Sequence, residues 1–247
     1  MANIDYSIYS NFVEQIMKNR DLSYFKSHPN YTYMLEHVNL AQGLEYLALI
    51  QSNTNISLDK IREFCSLNDS QGRPQTHNFG SFFASPTSLR YIWHAHLILT
   101  YFKTYNKDAY DIVEIGGGYG GLCFAISFFS KQYSVNISTY TIIDLKEPSQ
   151  LQELYLKNLK LEFPVKFADS RTFGKHIEEK DLFLISTYCF SEINYDYQKE
   201  YIEHLFPKVS HGFIAWNLIP LYYFGFPILK EDDETPKTGH LNKFIYF

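Results

Sequence analysis

The stretch D-I-V-E-I-G-G-G-Y-G-G-L-C-F-A, residues 111–125, decides the fold. Ile112, Val113 and Ile115 are β-branched and apolar, as a strand buried on both faces requires. Glycine then fills five of the six positions from 116 to 121, Tyr119 being the exception, although the whole chain holds only 12 glycines. So dense a run suits a backbone that must turn sharply and let a ligand lie against it. Leu122, Cys123, Phe124, Ala125, Ile126 and Phe128 then restore an apolar run compatible with a helix. Strand, glycine turn and helix in this order form the nucleotide-cradling unit of open α/β sheets.

Downstream of this unit the pattern alternates. Residues 138–143 read as a strand ending at Asp144, and Pro148 opens a helix to about residue 159. Strands follow at 165–168, ending at Asp169, and at 182–187; then come a helix at 197–206 and a strand at 212–216. The chain closes on K-F-I-Y-F, residues 243–247, as a last strand. Strands alternating with helices predict a parallel sheet covered on both faces. The charge run 230–234 reads as a solvated loop.

Upstream, the spacing is helical. Tyr9, Phe12, Val13, Ile16 and Met17 make one apolar face, and Leu40, Leu44, Leu47 and Ile50 a second. Ser57 caps a third helix carrying Ile61, Phe64 and Cys65. Ser85 and Pro86 supply the cap and first turn of a fourth, which runs to about residue 103. Residues 1–84 therefore read as a helical N-terminal cap and 85–247 as the sheet domain. Within the cap, residues 76–84 are polar, aromatic and glycine-bearing, and serve either as a lid over the site or as a connecting loop.

Composition narrows the function. A 45% hydrophobic share over 247 residues allows a sizeable core, and 21 Tyr with 21 Phe leave rings to line a binding site. The net charge of −5 argues against a broad nucleic-acid surface. Cys65, Cys123 and Cys189 are too widely spaced for a disulfide framework or a zinc site. Residues 1–11 lack the basic and apolar segments of a signal peptide, and no apolar run has membrane-spanning length. A cytoplasmic protein without a membrane or nucleic-acid partner is expected.

Gly116-x-Gly118-x-x-Gly121 matches the dinucleotide fingerprint, which is a weak signal by itself. Glu114, two residues before the first glycine, favours a different ligand. An acid there suits the cationic amino-acid end of S-adenosylmethionine and would repel a pyrophosphate. The long segment ahead of this strand points the same way, because dinucleotide domains often begin with it. Asp144 lies 23 residues past Gly121, near the ~20 expected of the acid that holds ribose hydroxyls. Asp169 ends the next strand and suits the adenine amino group. An NAD(P)-dependent oxidoreductase and a non-catalytic cofactor-binding module are the alternatives.

Five segments carry a resemblance: S-P-T-S-L-R-Y (85–91), V-E-I-G-G-G-Y-G-G-L (113–122), T-I-I-D-L (141–145), S-T-Y-C-F-S-E-I (186–193) and E-T-P-K-T-G-H-L-N (234–242). Together they resemble the sugar O-methyltransferase family, a branch of the class I S-adenosylmethionine-dependent enzymes, over residues 69–247. The resemblance implies a Rossmann-like α/β fold with a seven-stranded, mostly parallel sheet whose last strand is antiparallel. It implies methyl transfer to a sugar hydroxyl, free, nucleotide-linked or glycan-terminal. The expected cofactor set is Glu114, Gly116, Gly117, Gly118, Tyr119, Asp144, Leu145, Asp169, Ser170 and Ser186. Arg90 joins it by pairing the cofactor carboxylate with its planar fork.

Residues 186–194 follow the fourth strand and so face the reacting methyl group. A carboxylate so close to apolar residues 182–185 is costly unless it is paired or functional, which makes Glu192 the candidate general base, with Ser191 beside it. His240 and His77 are candidates for the base or for sugar contacts, and Tyr188 and Asn217 for acceptor contacts. Tyr119, Tyr188, Phe190 and Trp216 would keep the pocket aromatic and poor in water. No metal site is expected, since His94 and His96 point to different sides of a helix. Asp196, Asp232, Asp233 and Glu234 offer oxygen ligands at no demanding spacing.

Overall fold

The computed structural model describes residues 7–247; the first six residues, on which part of the signal-peptide reading falls, lie outside it. The first apolar stripe becomes α1 (Ser7–Asn19), which buries Tyr9, Phe12, Val13 and Ile16. A single turn, α2 (Pro29–Thr32), leads to α3 (Leu40–Asn53), opened by a capping box between Asn39 and Gln42. Its buried face carries Gly43, Tyr46, Leu47 and Ile50. The expected stripe is corrected here, for Leu40 and Leu44 are 38% and 50% exposed. The cause is Gly43: a Cβ there would stand 2.8 Å from Phe79 and 3.0 Å from Pro86, so the bare backbone makes the close approach and the two leucines turn outward.

Ser57 caps α4 (Leu58–Asp69), its hydroxyl accepting from the Lys60 amide at 3.3 Å. A small antiparallel hairpin follows, β1 (His77–Asn78) with β2 (Phe83–Ala84). Ser85 then caps α5 (Pro86–Lys103), whose first ten residues are all buried. The sheet unit comes next: β3 (Tyr110–Ile115), α6 (Gly121–Ser130), β4 (Ile137–Asp144), α7 (Lys146–Leu156) and β5 (Val165–Asp169). The second half supplies β6 (Leu182–Thr187), the short α8 (Cys189–Glu192), α9 (Tyr195–His204), β7 (Val209–Trp216), β8 (Lys230–Asp233) and β9 (Lys243–Tyr246).

The seven-stranded sheet has the order β5-β4-β3-β6-β7-β9-β8. Every pairing from β5 to β7 is parallel, and β9 runs antiparallel to both β7 and β8. This is the Rossmann-like class I methyltransferase arrangement, with the antiparallel last strand that the resemblance implied. Side chains alternate strictly between two cores. Ile112, Phe183, Ile185, Phe213 and Phe244 face one; Val113, Leu182, Leu184, Ile214 and Ile245 face the other. The first core also takes in Tyr9 and Ile16 of α1, Tyr46 of α3 and Leu89 of α5, so the N-terminal helices share apolar packing with the sheet. Among the described residues no helix is long and apolar enough to cross a membrane.

The charge run 230–234 reads as a loop, but its residues 230–233 build the edge strand β8 and only Glu234 lies beyond it. An edge strand has one unpaired side and a largely exposed face, so Lys230, Glu231 and Asp232 fit it. Lys230 pairs with Asp232, and Glu231 with Lys243 of β9. Charges in that position also discourage pairing with a foreign strand.

The glycine turn is tied to the N-terminal helices by a buried polar seam. Lys26 is fully buried, donates to the Asn68 carbonyl at 2.5 Å and lies 4.1 Å above the Tyr119 ring. Burial pulls the Lys26 pKa down to about 8. The Asn68 side chain donates to Tyr119 at 2.9 Å and accepts from Tyr155 at 2.6 Å. Tyr119 is therefore part of the interdigitated core, which corrects its expected place beside the cofactor.

Candidate active site

The glycine turn leaves β3 at its carboxyl end, where open α/β sheets bind ligands. Gly116 has φ +77°, and a Cβ on it would stand 2.4 Å from the Cys189 side chain. Only glycine fits both constraints. Beyond the turn lies a cavity of about 710 Å³ at the carboxyl ends of β3, β4, β6 and β7. Gly116, Gly118, Asp144, Leu145 and Ser170 form one wall, and Tyr188, Glu192, Asn217, Thr238 and Asn242 the other. Arg90 and the segment at 34–37 close it from the N-terminal side.

Asp144 ends β4 and is fixed from three directions. It accepts from the Gly117 amide at 3.0 Å, the Leu145 amide at 2.8 Å and Gln152 Nε2 at 2.7 Å. Burial outweighs these bonds and raises its pKa to about 6, leaving it mostly ionised at neutral pH. Across the cavity, Asn217 Nδ2 donates to Glu192 Oε1 at 2.5 Å. Asn217 is itself fixed by Ser191, whose hydroxyl donates to its Oδ1 at 2.6 Å and accepts from its amide at 3.0 Å. Ser191 is buried and does not line the cavity, so its expected catalytic place is corrected to that of a support.

Arg90 is 4% exposed, and its Nη2 donates to the Leu35 carbonyl at 3.1 Å. The guanidinium carbon stands 5.9 and 5.8 Å from the Tyr91 and Tyr188 ring centres. Among the described residues no carboxylate forms an ion pair with it. His37, beside it on the cavity wall, is held low, to about 4, by desolvation and then by the Arg90 charge.

Several expected residues lie elsewhere. Glu114 is buried behind the turn and accepts from Tyr140 at 3.0 Å instead of facing the cavity. Burial, followed by repulsion from Asp144, raises its pKa to about 8. Gly117 also lies behind the surface and contributes its amide to Asp144. Asp169 is committed to Arg171, accepting from its Nε at 3.0 Å and from its amide at 2.9 Å, while Ser170 and Arg171 reach the cavity. Ser186 is buried as a staple: its hydroxyl donates to the Ile115 carbonyl at 2.9 Å and accepts from the Phe190 amide at 3.0 Å. Phe190 and Trp216 pack in the second core.

The two histidines are also corrected. His77 sits in the β1–β2 hairpin, and no residue from 76 to 84 lines the cavity. His240 is exposed and outside the lining, although its neighbours Thr238, Gly239 and Asn242 belong to it. His94 is buried against Tyr188 and Phe244, while His96 shares a 2.6 Å hydrogen bond with Tyr133. Among the described residues one cluster has metal-ligand spacing, Glu200, Glu203 and His204 on α9, where Glu200 already pairs with Lys175 at 3.1 Å.

Other lining residues carry no signal in the sequence: Tyr9, Met34, Leu35, His37 and Tyr197 among them. Tyr9 read as one more core position of α1. The segment at 34–37 carries no periodicity and no motif; long-range bonds to Arg90 and Ser85 and the packing of Met34 and Leu35 on the first core bring it over the cavity.

No protein-family model matches the chain, and a search of curated proteins gives no match. Among solved structures the chain is similar to M. capricolum TrmK bound to S-adenosyl-homocysteine, at 13% identity over 60% of this chain and 66% of that one, TM-score 0.40. It is similar to the plantazolicin methyltransferase BpumL bound to S-adenosyl-homocysteine, at 19% identity over 82% and 61%, TM-score 0.39. A third is an rRNA methylase from Streptococcus thermophilus, at 10% identity over 61% and 93%, TM-score 0.43. The chain thus spans 66% and 61% of the length of the first two.

Proposed function

We propose that the chain is an S-adenosylmethionine-dependent O-methyltransferase acting on a sugar hydroxyl. The observation that carries the cofactor assignment is the covered amino end of α6. A pyrophosphate would sit there in a dinucleotide enzyme. A Cβ on Gly121 would stand 2.4 Å from the Tyr91 ring and 2.9 Å from the Tyr119 ring, so rings pack against the first residue of α6, and Gly120 and Gly121 are buried outside the cavity lining. The open surface of the turn is instead at Gly116 and Gly118, flanked by Asp144 and by Arg90. That set fits a ligand with a ribose at Asp144 and a carboxylate at Arg90, where a bidentate fork is strongest. Leu145 and Ser170 complete the wall beside the strand ends.

Bound there, the cofactor supplies a methyl group on a positively charged sulfur, already an activated leaving group. The protein's task is then alignment and proton removal. Glu192, oriented by Asn217 and through it by Ser191, takes the proton of the acceptor hydroxyl; a positioned base contributes ~10²–10⁴-fold. Holding the hydroxyl in line supplies most of the remainder, since effective molarities of oriented reactants reach ~10⁵–10⁸ M. Thr238, Asn242, Asn217 and His37 give this wall several hydrogen-bonding groups, and Tyr188 an aromatic face, which supports a polyhydroxylated acceptor.

Calorimetric titration separates the cofactor classes. S-adenosylhomocysteine should bind and NAD(P)H should not; the opposite result ends the proposal. With product mass spectrometry on a panel of monosaccharides and nucleotide sugars, Glu192→Gln should lower turnover ~10²–10⁴-fold and leave S-adenosylhomocysteine affinity unchanged. Full activity in that variant would remove Glu192 as the base.

A further inference from the structure

Glu234 is 1% exposed, just beyond the edge strand β8, and among the described residues it has no ion-pair partner. Its carboxylate is satisfied by neutral donors alone. Tyr188 donates its hydroxyl to Oε1 in a short bond. The Thr238 amide donates to Oε2 at 2.6 Å, the Thr238 hydroxyl lies 2.7 and 2.9 Å from the two oxygens, and Asn242 Nδ2 donates to Oε2 at 3.0 Å. A buried carboxylate without a cation is expensive and persists where its hydrogen bonds fix something. Here all three donor residues, Tyr188, Thr238 and Asn242, line the cavity.

Tyr188 adds an independent sign. It follows β6 with φ +69°, a left-handed conformation that a bulky residue adopts only when its surroundings enforce it. Its ring is gripped between Arg90 on one side and the Glu234 bond at its hydroxyl. The segment carrying Thr238 and Asn242 has little other regular structure, lying between β8 and β9.

We infer that Glu234 is a positioning residue: it sets the acceptor half of the cavity by holding Tyr188 from one side and Thr238 with Asn242 from the other. This rests on the methyl-transfer reading only for the word acceptor; the latch itself does not. Glu234→Gln keeps the shape but replaces one acceptor oxygen with an NH₂, which either opposes the Thr238 amide and Asn242 Nδ2 or forces the Tyr188 and Thr238 hydroxyls to turn from donating to accepting. S-adenosylhomocysteine affinity by calorimetry should stay within about threefold of the parent, because the glycine turn and Asp144 are untouched. The KM for the panel of monosaccharides and nucleotide sugars should rise about tenfold or more. Glu234→Asp, which keeps the charge, should recover part of that loss. Amide hydrogen exchange at Thr238 should quicken in Glu234→Gln whether or not any sugar is methylated. If the Gln variant does not fold, Tyr188→Phe removes a single link and should move KM in the same direction by less. The inference is overturned if S-adenosylhomocysteine affinity falls in step with activity, or if Thr238 exchange is unchanged. A parent that methylates no sugar but shows quickened Thr238 exchange in Glu234→Gln would keep the latch and dismiss the sugar reading.

Discussion

On one side of the cavity, Gly116, Gly118 and Asp144 stand at the ends of two neighbouring parallel strands, β3 and β4. On the other, Glu192, Asn217, Thr238 and Asn242 come from separate segments, and Arg90 and His37 reach in from before the sheet begins. The first wall is made largely of backbone, with one carboxylate held by the amides of Gly117 and Leu145 and by the Gln152 side chain. The second is made of side chains that fix one another: Ser191 holds Asn217, which holds Glu192, and Glu234 holds Tyr188, Thr238 and Asn242. A backbone wall should fail when a side chain is added to it. A side-chain wall should fail when a hydrogen-bonding group is taken away.

The largest break in that contrast is expected at Gly116. Its left-handed φ strains any other residue, and a Cβ would collide with Cys189 in the cavity wall. Gly116→Val should reduce S-adenosylhomocysteine affinity by more than about 100-fold, since both strain and blockage oppose binding. Calorimetry reads the affinity, and a circular dichroism melt checks that the fold remains. Unchanged affinity would mean that the ligand does not lie against the turn.

Arg90 gives a smaller effect and tests whether the two walls share a ligand. It touches the second wall through the Tyr188 ring and the N-terminal segment through Leu35. If it pairs a ligand carboxylate, Arg90→Gln should weaken S-adenosylhomocysteine about 10- to 100-fold, the size of one to two charge-assisted hydrogen bonds. Arg90→Lys should recover little, because a point charge does not reproduce the planar fork. If affinity holds and only acceptor KM rises, Arg90 belongs wholly to the second wall.

The contrast also explains what could be read from the sequence. The first wall was legible because glycine spacing, an apolar strand and the acid 23 residues on are local consequences of one turn. Side-chain direction within it was not. Glu114 was expected at the ligand, but its place in β3 turns its side chain toward Tyr140, behind the glycines. Tyr119, in the middle of the turn, points instead to Lys26 and Asn68. The second wall was legible only in pieces. Glu192, Tyr188 and Asn217 follow from their position after strands, whereas His240 is marked only by its chemistry and lies exposed beside the lining residues Thr238 and Gly239. Glu234 ends a charge run whose first four residues form the exposed edge strand β8, and nothing local distinguishes the one acid after it that turns inward.

The smallest expected effect concerns stability and separates a buried acid that supports the turn from one that meets a ligand. The folded protein holds the Glu114 proton up to about pH 8, whereas an unfolded chain releases it near the ordinary glutamate value. Between those values the folded state binds more protons, so stability is lost as pH rises from about 4.5 to about 8. Asp144, raised to about 6, acts with the same sign over the lower part of the window. Glu114→Gln removes the Glu114 part of the slope and keeps a group that can accept from Tyr140. In chemical denaturation at pH 8 to 9 the variant should be more stable than the parent by about 1–2 kcal/mol, less than the ~1.4 kcal/mol per pKa unit would give, because relaxation around a buried charge absorbs part of it. Below about pH 4, under the window, the two should coincide. S-adenosylhomocysteine affinity should change by less than about threefold, as expected of a side chain outside the cavity. A large loss of affinity with no change in the pH profile would return Glu114 to the ligand and make the turn, like the wall opposite, dependent on a side chain for recognition.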